Sequence, residues 1–234
     1  MKLAIMQPYF FPYIGYWQLM SEVDKFVVYD NIKYTKSGWI RRNRILLNGH
    51  DKLISLPIKN DSDFLDIKDR SISEIFYLKE KEKIKNLIDA GYSKAPNYDT
   101  VKPIIDRILD QNESNLFLFI YNSILTIKKY LGIDTELMIS SEININHSLR
   151  NKYKVIEICK NLKSDHYINS IGGATIYNRN EFLSNGINLM FLKTRDIIYQ
   201  QFNNGFIPNL SIIDVMMFNS TDQAKELLKQ YILQ

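Results

Sequence analysis

LAIMQPYFFPYIGYWQLMSEVDKFVVYD, residues 3–30, is the stretch that sets the fold class. Its first five residues, LAIMQ, form a continuous apolar run that stops at Gln7-Pro8, and residues 25–30, KFVVYD, form a second run that stops at a carboxylate. Short apolar runs bounded in this way read as strands buried on both faces. Between them, YIGYWQLMSEV places apolar side chains at Ile14, Trp17, Leu19, Met20 and Val23, enough for a short helix. Strand, helix, strand predicts a βαβ unit with a parallel pair. In open α/β sheets ligands bind outside the carboxyl ends of the strands, which Gln7 and Asp30 mark here.

Further along, RNRILLNGHDKLISLPI carries apolar residues on both sides of Asn48-Gly49, which predicts a hairpin over roughly 43–58. From Glu74 to Leu131 the period becomes helical: Ile84, Leu87 and Ile88, then Val101, Ile104, Ile105 and Ile108, then Leu116, Ile120, Ile124, Ile127 and Leu131. Pro103 fits a first helical turn if Thr100 is the cap. TELMIS (135–140), HYINS (166–170) and INLMFLK (187–193) read as strands and 150–162 as a helix. Residues 194–209, with Gly205 and Pro208, read as a loop. LSIIDVMM and residues 222–233 read as two closing helices, the second with Ala224, Leu227, Leu228, Tyr231 and Ile232 as its stripe. The expected fold class is therefore α/β: a single domain with a mainly parallel, Rossmann-like sheet, a β-hairpin excursion and a mostly helical insertion at about 74–131.

Composition narrows the function classes. With 234 residues, 45% of them hydrophobic, the chain can bury a core without staples. Its one cysteine, Cys159, allows no intrachain disulfide and reads as core filler in a reducing, cytoplasmic setting. The net charge of +4 comes from 30 basic and 26 acidic residues with no clustered basic tract, so nucleic acid is not an expected partner. No window approaches the ~18 apolar residues of a membrane span, and the LAIMQP run is too short for a signal peptide. Three histidines, without C-x-x-C or H-E-x-x-H, leave little for a transition-metal site, while oxygen-ligated Mg²⁺ stays open and no cofactor is indicated.

Candidate site residues gather in four stretches. In QPYFFPYIGYW, Pro8 and Pro12 fix the backbone while Gln7, Tyr9, Tyr13, Tyr16 and Trp17 offer flat faces and polar tips, a wall suited to a sugar or a base. In GWIRRNRI, Trp39, Arg41, Asn43 and Arg44 combine a ring, an amide and guanidinium forks that take phosphate or carboxylate. Strand alternation places Ile40, Arg42 and Arg44 on one face and Arg41, Asn43 and Ile45 on the other, so Arg41 and Arg44 cannot share one anion. Solvated arginines on an edge strand would look the same.

Gly172-Gly173, after a predicted strand, lets a ligand approach bare N–H groups, and a following helix N-terminus would favour an anion. Tyr177 lies just beyond. YQQFNNGFIPNLSIID supplies Gln200, Gln201, Asn203, Asn204 and Asn209, with Asn209 or Ser211 as a helix cap and Asp214 inside the helix. For acid–base work the candidates are Asp24, Asp30, His147, His166 and Asp214, with Asp30 favoured by its strand-end position. No Ser-His-Asp or Cys-His arrangement is visible.

The segments MQPYFFPYIGYWQLM, DKFVVYDNIKY, GWIRRNRILLNG, YSKAPNY, YINSIGGATIY and YQQFNNGFIPNLSIIDVM, in this order, resemble the WbqC-like protein family over almost the whole chain. The chain departs mildly at Lys52-Leu53, where a tryptophan is common, and in having no histidine in the helix before Tyr92. Members are often encoded in gene clusters for O-antigen, capsule or other surface polysaccharides, which implies a role in making or decorating an activated sugar. Phe10 to Tyr16 is also similar in outline to the F-x-P-x-H-x-G-H loop of nucleotidylyltransferases, but is one residue short and lacks both histidines.

The expected function is a transferase modifying a nucleotide-linked amino sugar by acyl or amide transfer, its small-molecule partners being the nucleotide-sugar and an activated acyl donor. Asp30 or His166 would take the amine proton and Arg41 or Arg44 would hold phosphate. Gln7, Tyr9 and Tyr16, with Gln201 and Asn209, would frame the sugar. The alternatives are a non-catalytic sugar- or partner-binding scaffold and an ATP-dependent ligase.

Overall fold

The computed structural model describes residues 1–203 and 205–234. The first βαβ unit forms as expected: β1 (Lys2–Met6), α1 (Ile14–Glu22) and β2 (Lys25–Val28), with Leu3 level with Lys25 in a parallel pair. The hairpin β3 (Arg42–Leu47) and β4 (His50–Ser55) follows as a separate two-stranded sheet. Its turn has positive φ at both Asn48 (51°) and Gly49 (75°), the geometry that matches the twist of the flanking strands.

Helices α2 (Lys81–Tyr92), α3 (Tyr98–Leu109) and α4 (Leu116–Leu131) come next, then β5 (Glu136–Ile139), α5 (Asn151–Asn161) and β6 (His166–Ser170). The chain closes with α6 (Arg179–Leu183), β7 (Asn188–Thr194), α7 (Ile212–Phe218), α8 (Thr221–Leu228) and β8 (Tyr231–Leu233). The main sheet runs β5-β2-β1-β6-β7-β8, all neighbours parallel except β7 and β8. Numbering its five parallel strands in chain order gives 3-2-1-4-5, the doubly wound Rossmann-like order. The order reverses between β1 and β6.

Alternation along the strands feeds two cores. Leu3, Ile5, Val27, Tyr29, Tyr167, Leu189 and Phe191 pack with Val155, Ile158 and Cys159 of α5 and Phe182 of α6. Ala4, Phe26, Val28, Ile168 and Leu192 face the other way, into a larger core shared by α1, α2–α4, α7, α8 and the hairpin. Burial of Cys159 pushes its thiol up to about 12, in keeping with filler.

Three local readings are corrected. Helix α3 starts at Tyr98, two residues before Thr100, so Pro103 sits in the second turn and not the first. Its missing N–H leaves the Asp99 carbonyl without an i→i−4 donor. Residues 231–233 are not the end of a helix: α8 stops at Leu228 and the chain turns back to pair antiparallel with β7. Finally, the glycine pair opens no α-helix, because residues 171–175 form a short 3₁₀ segment.

Candidate functional site

The loop after β1 is pinned from several sides. Phe10 N–H donates to Ile40 O, Ile212 N–H to Pro12 O, and Ser211 N–H to Arg44 O, while Trp17 Nε1 also donates to Pro12 O. Asn43 Nδ2 donates to both Phe10 O and Phe11 O, and Ser211 Oγ donates to Phe11 O. These bonds hold Phe11 at φ 46°, a left-handed conformation that a bulky side chain adopts only when its surroundings impose it. The result is a rigid shelf that carries Tyr9 outward.

Tyr9 is the wall between two clefts. The larger, about 690 Å³, lies at the carboxyl ends of β1, β2 and β6, across the point where strand order reverses. Gln7, Tyr9, Tyr29, Asn169, Gly172, Gly173 and Tyr177 line it, together with Asn151, Lys152 and Tyr153 of α5. The smaller, about 280 Å³, is lined by Tyr9, Pro12, Tyr13, Trp39, Asn43, Arg44 and Asn209.

Within the larger cleft, Gly173 must lack a side chain, since a Cβ there would meet Asn169 Cγ at 2.9 Å. Asn169 in turn donates to Tyr167 Oη and accepts from Ser170 N–H, which fixes the strand end. Helix α5 has no side-chain cap, so its first-turn N–H groups stay available to a ligand. Burial, with Tyr177 as the next contributor, pushes the Tyr29 phenol up to about 12. Burial likewise raises Tyr9 and Tyr13. These phenols are therefore neutral donors at ordinary pH. Among the described lining residues of both clefts there is no carboxylate and no imidazole.

Behind the larger cleft lies a buried polar network. Asp30 sits at the end of β2, as its sequence position implied, but Oδ1 accepts from Ser141 N–H and Oδ2 from Ser141 Oγ, and it does not line the cleft. It ties β2 to the segment after β5. Asn31 accepts from Ser140 Oγ, and its Nδ2 lies 2.9 Å from His147 Nδ1. Lys154 Nζ donates to Asn31 O and lies over the Tyr29 ring. Burial lowers the Lys154 pKa, partly offset by Asp66 and Asp30.

Other expected site residues fall elsewhere. His166 begins β6, level with Lys2, at the amino edge of the sheet, with its ring 2.9 Å from Asp165. Asp24 accepts from Lys2 N–H at the same edge. Neither reaches a cleft. Tyr16 is buried against Phe26 and Trp17. Arg41 donates to Leu56 O, on the hairpin. Gln201 clasps Ile207 through both its N–H and C=O and donates to Asp214 Oδ2. Asp214 is fully buried and also accepts from Tyr92 and Tyr199, so both residues organise the 199–214 segment, and neither lines either cleft. Ser211, not Asn209, caps α7, and Asn204 lies outside the described residues.

The α5 residues at the cleft were missed from sequence. Their signal was topological: a helix that follows a strand of a parallel sheet starts at the carboxyl edge.

Among the described residues no helix is long and apolar enough to cross a membrane, and no group of three or more His, Cys, Asp or Glu is placed to hold a metal ion. The chain is 27% identical to "Uncharacterized protein Rv1507c" of Mycobacterium tuberculosis, over 97% of each chain. No solved structure matches it. The family model described as "WbqC-like protein family" matches residues 7–226, and the chain belongs to that family.

Proposed function

We propose that the protein is a transferase of surface-polysaccharide biosynthesis that binds a nucleotide-linked amino sugar in the larger cleft and modifies it by acyl or amide transfer. The wall chemistry of that cleft carries the reading. Amides, neutral phenols, the Gly172-Gly173 turn, the uncapped first turn of α5 and Lys152, whose ammonium pairs with Glu181, border a volume of about 690 Å³, large enough for a nucleotide and a sugar. A diphosphate matches the first-turn N–H groups of α5 and would compete with Glu181 for the lysine, and the hydroxyls of a sugar match Gln7, Tyr9 and Asn169. The association of the family with surface-polysaccharide gene clusters supplies the pathway. In this scheme Asp30 is a positioning residue that holds the β2 end beside the cleft.

Calorimetric titration with UDP-, dTDP- and GDP-linked amino sugars tests it. Saturable binding of one of them, weakened about tenfold by Lys152→Ala, is expected, as for the loss of one charge-assisted contact. No binding of any, alongside a responding control binder, contradicts it.

The absence of a carboxylate or imidazole from either described lining favours a second reading, a binding scaffold of the same pathway. Incubation of the bound nucleotide-sugar with an acyl donor separates the two. Product identifies the transferase, a requirement for ATP and Mg²⁺ identifies a ligase, and tight binding without turnover identifies the scaffold.

A further inference from the structure

The smaller cleft is too small for a nucleotide, at about 280 Å³, yet it shares Tyr9 with the larger one. Three aromatic rings, Tyr9, Tyr13 and Trp39, and two amides, Asn43 and Asn209, surround one guanidinium, Arg44. Arg44 is incompletely satisfied. Its Nη1 lies 3.3 Å from Asp51 Oδ2, its Nη2 lies 3.4 Å from Asn209 O, and its Nε has no acceptor. The guanidinium also lies 5.6 Å from the centre of the Trp39 ring, with Arg42 at 5.7 Å from the same ring, so local charge is positive. The shelf beneath is the strained Phe11 backbone, held by Asn43 and Ser211. Strain maintained by several converging bonds is a mark of a functional position.

We propose that this cleft is a second-substrate subsite that binds a small organic carboxylate, with the carboxylate on Arg44 and its body against the aromatic rings. The inference rests on the transferase reading, for which the Arg44-bound carboxylate would anchor the second substrate, while the acyl carbon that transfers is a separate, activated one such as a thioester, facing the amino sugar across Tyr9 and releasing its thiol. Planar guanidinium forks pair with carboxylates in two-point fashion, and the long contacts to Asp51 and Asn209 are the ones an incoming carboxylate would replace. The body of the ligand is no larger than a single sugar ring or a short acyl chain.

Ligand-observed NMR titration of the full chain with butyrate against butyramide, and glucuronate against glucose, tests the inference. A carboxylate is expected to bind and its neutral counterpart to bind at least about tenfold more weakly, the loss expected for one charge-assisted contact. Which acid binds tells a short acyl chain from an acidic sugar. Arg44→Gln should remove the preference. Asp51→Asn should strengthen carboxylate binding several-fold by removing the competing partner, a gain that misfolding cannot imitate. Equal binding of acid and neutral forms, no binding of either acid, or affinities unchanged in both variants would overturn the subsite. If the acids bind through Arg44 but no nucleotide-sugar binds the larger cleft, the transferase reading fails and the carboxylate site stands. If nucleotide-sugars bind and the acids do not, the reverse holds.

Discussion

Asp214 shows how a residue that looks catalytic from sequence can be structural. Its carboxylate accepts from Tyr92, Tyr199 and Gln201 with no cation beside it, and burial raises its pKa above the ordinary 3.8. The folded state therefore holds that proton more tightly than the unfolded chain does. Its titration favours the folded state most below 3.8, and that contribution is lost as pH rises through the folded pKa. Relative to Asp214→Asn, the wild type should gain stability as pH falls from neutral towards 3.8, measured by denaturant titration at each pH. A constant difference across that range contradicts the assignment. Lys154 is the opposite case, a buried cation whose pKa burial lowers. Because the folded state holds the Lys154 proton less tightly than the unfolded chain does, the wild type should gain stability relative to Lys154→Met as pH rises towards 10.5, and a constant difference contradicts this. If the lysine serves the cleft through Tyr29, the same variant should weaken nucleotide-sugar binding, read by calorimetry. No hydrophobic pattern marks such residues in the sequence. They are legible only once Asn31, Tyr29 and Lys154 are seen to meet across distant segments.

At the scale of elements, the strands with continuous apolar runs and the Asn48-Gly49 hairpin were legible because each is decided by local rules. β8 was not. Tyr231 and Ile232 continue the helical spacing of Ala224, Leu227 and Leu228, and only pairing with β7 shows that the chain has turned back. The start of α3 was also misplaced, since Asn97 caps it without a side-chain bond and Pro103 drew attention to the wrong turn. Pro103 now stands where a helix needs a donor. Pro103→Ala should therefore stabilise the protein by about 1–2 kcal/mol, the helix-interior penalty reduced by the greater freedom of the unfolded chain. A melting temperature that falls on this substitution contradicts that account. In the loop after β1, Asn43 makes two bonds to the strained Phe10-Phe11 turn and accepts from Arg44 N–H. Asn43→Ala should destabilise by about 1–3 kcal/mol in denaturant titration, because buried polar groups lose their partners. It should also open the smaller cleft, which only a bonded shelf keeps in shape.

For the whole molecule, the informative quantity is strand order. A 3-2-1-4-5 arrangement puts β1 beside β6, and loops leaving those two strands diverge to opposite faces of the sheet, opening a crevice between them. Gln7, Tyr9, Gly172, Gly173 and Tyr177 were legible as neighbours of one cleft because each follows a strand end. The three residues of α5 were not, because sequence distance hides which helix borders the crevice. Trp39, Asn43, Arg44 and Asn209 were read as part of one site but belong to a second cleft across Tyr9. The most direct test is a crystal structure of the protein with a nucleotide-linked amino sugar. The account predicts the diphosphate against Gly172-Gly173 and the first turn of α5, with the sugar beside Tyr9. A diphosphate bound instead in the groove of about 1190 Å³ around α8, lined by Lys225 and Lys229, would contradict it.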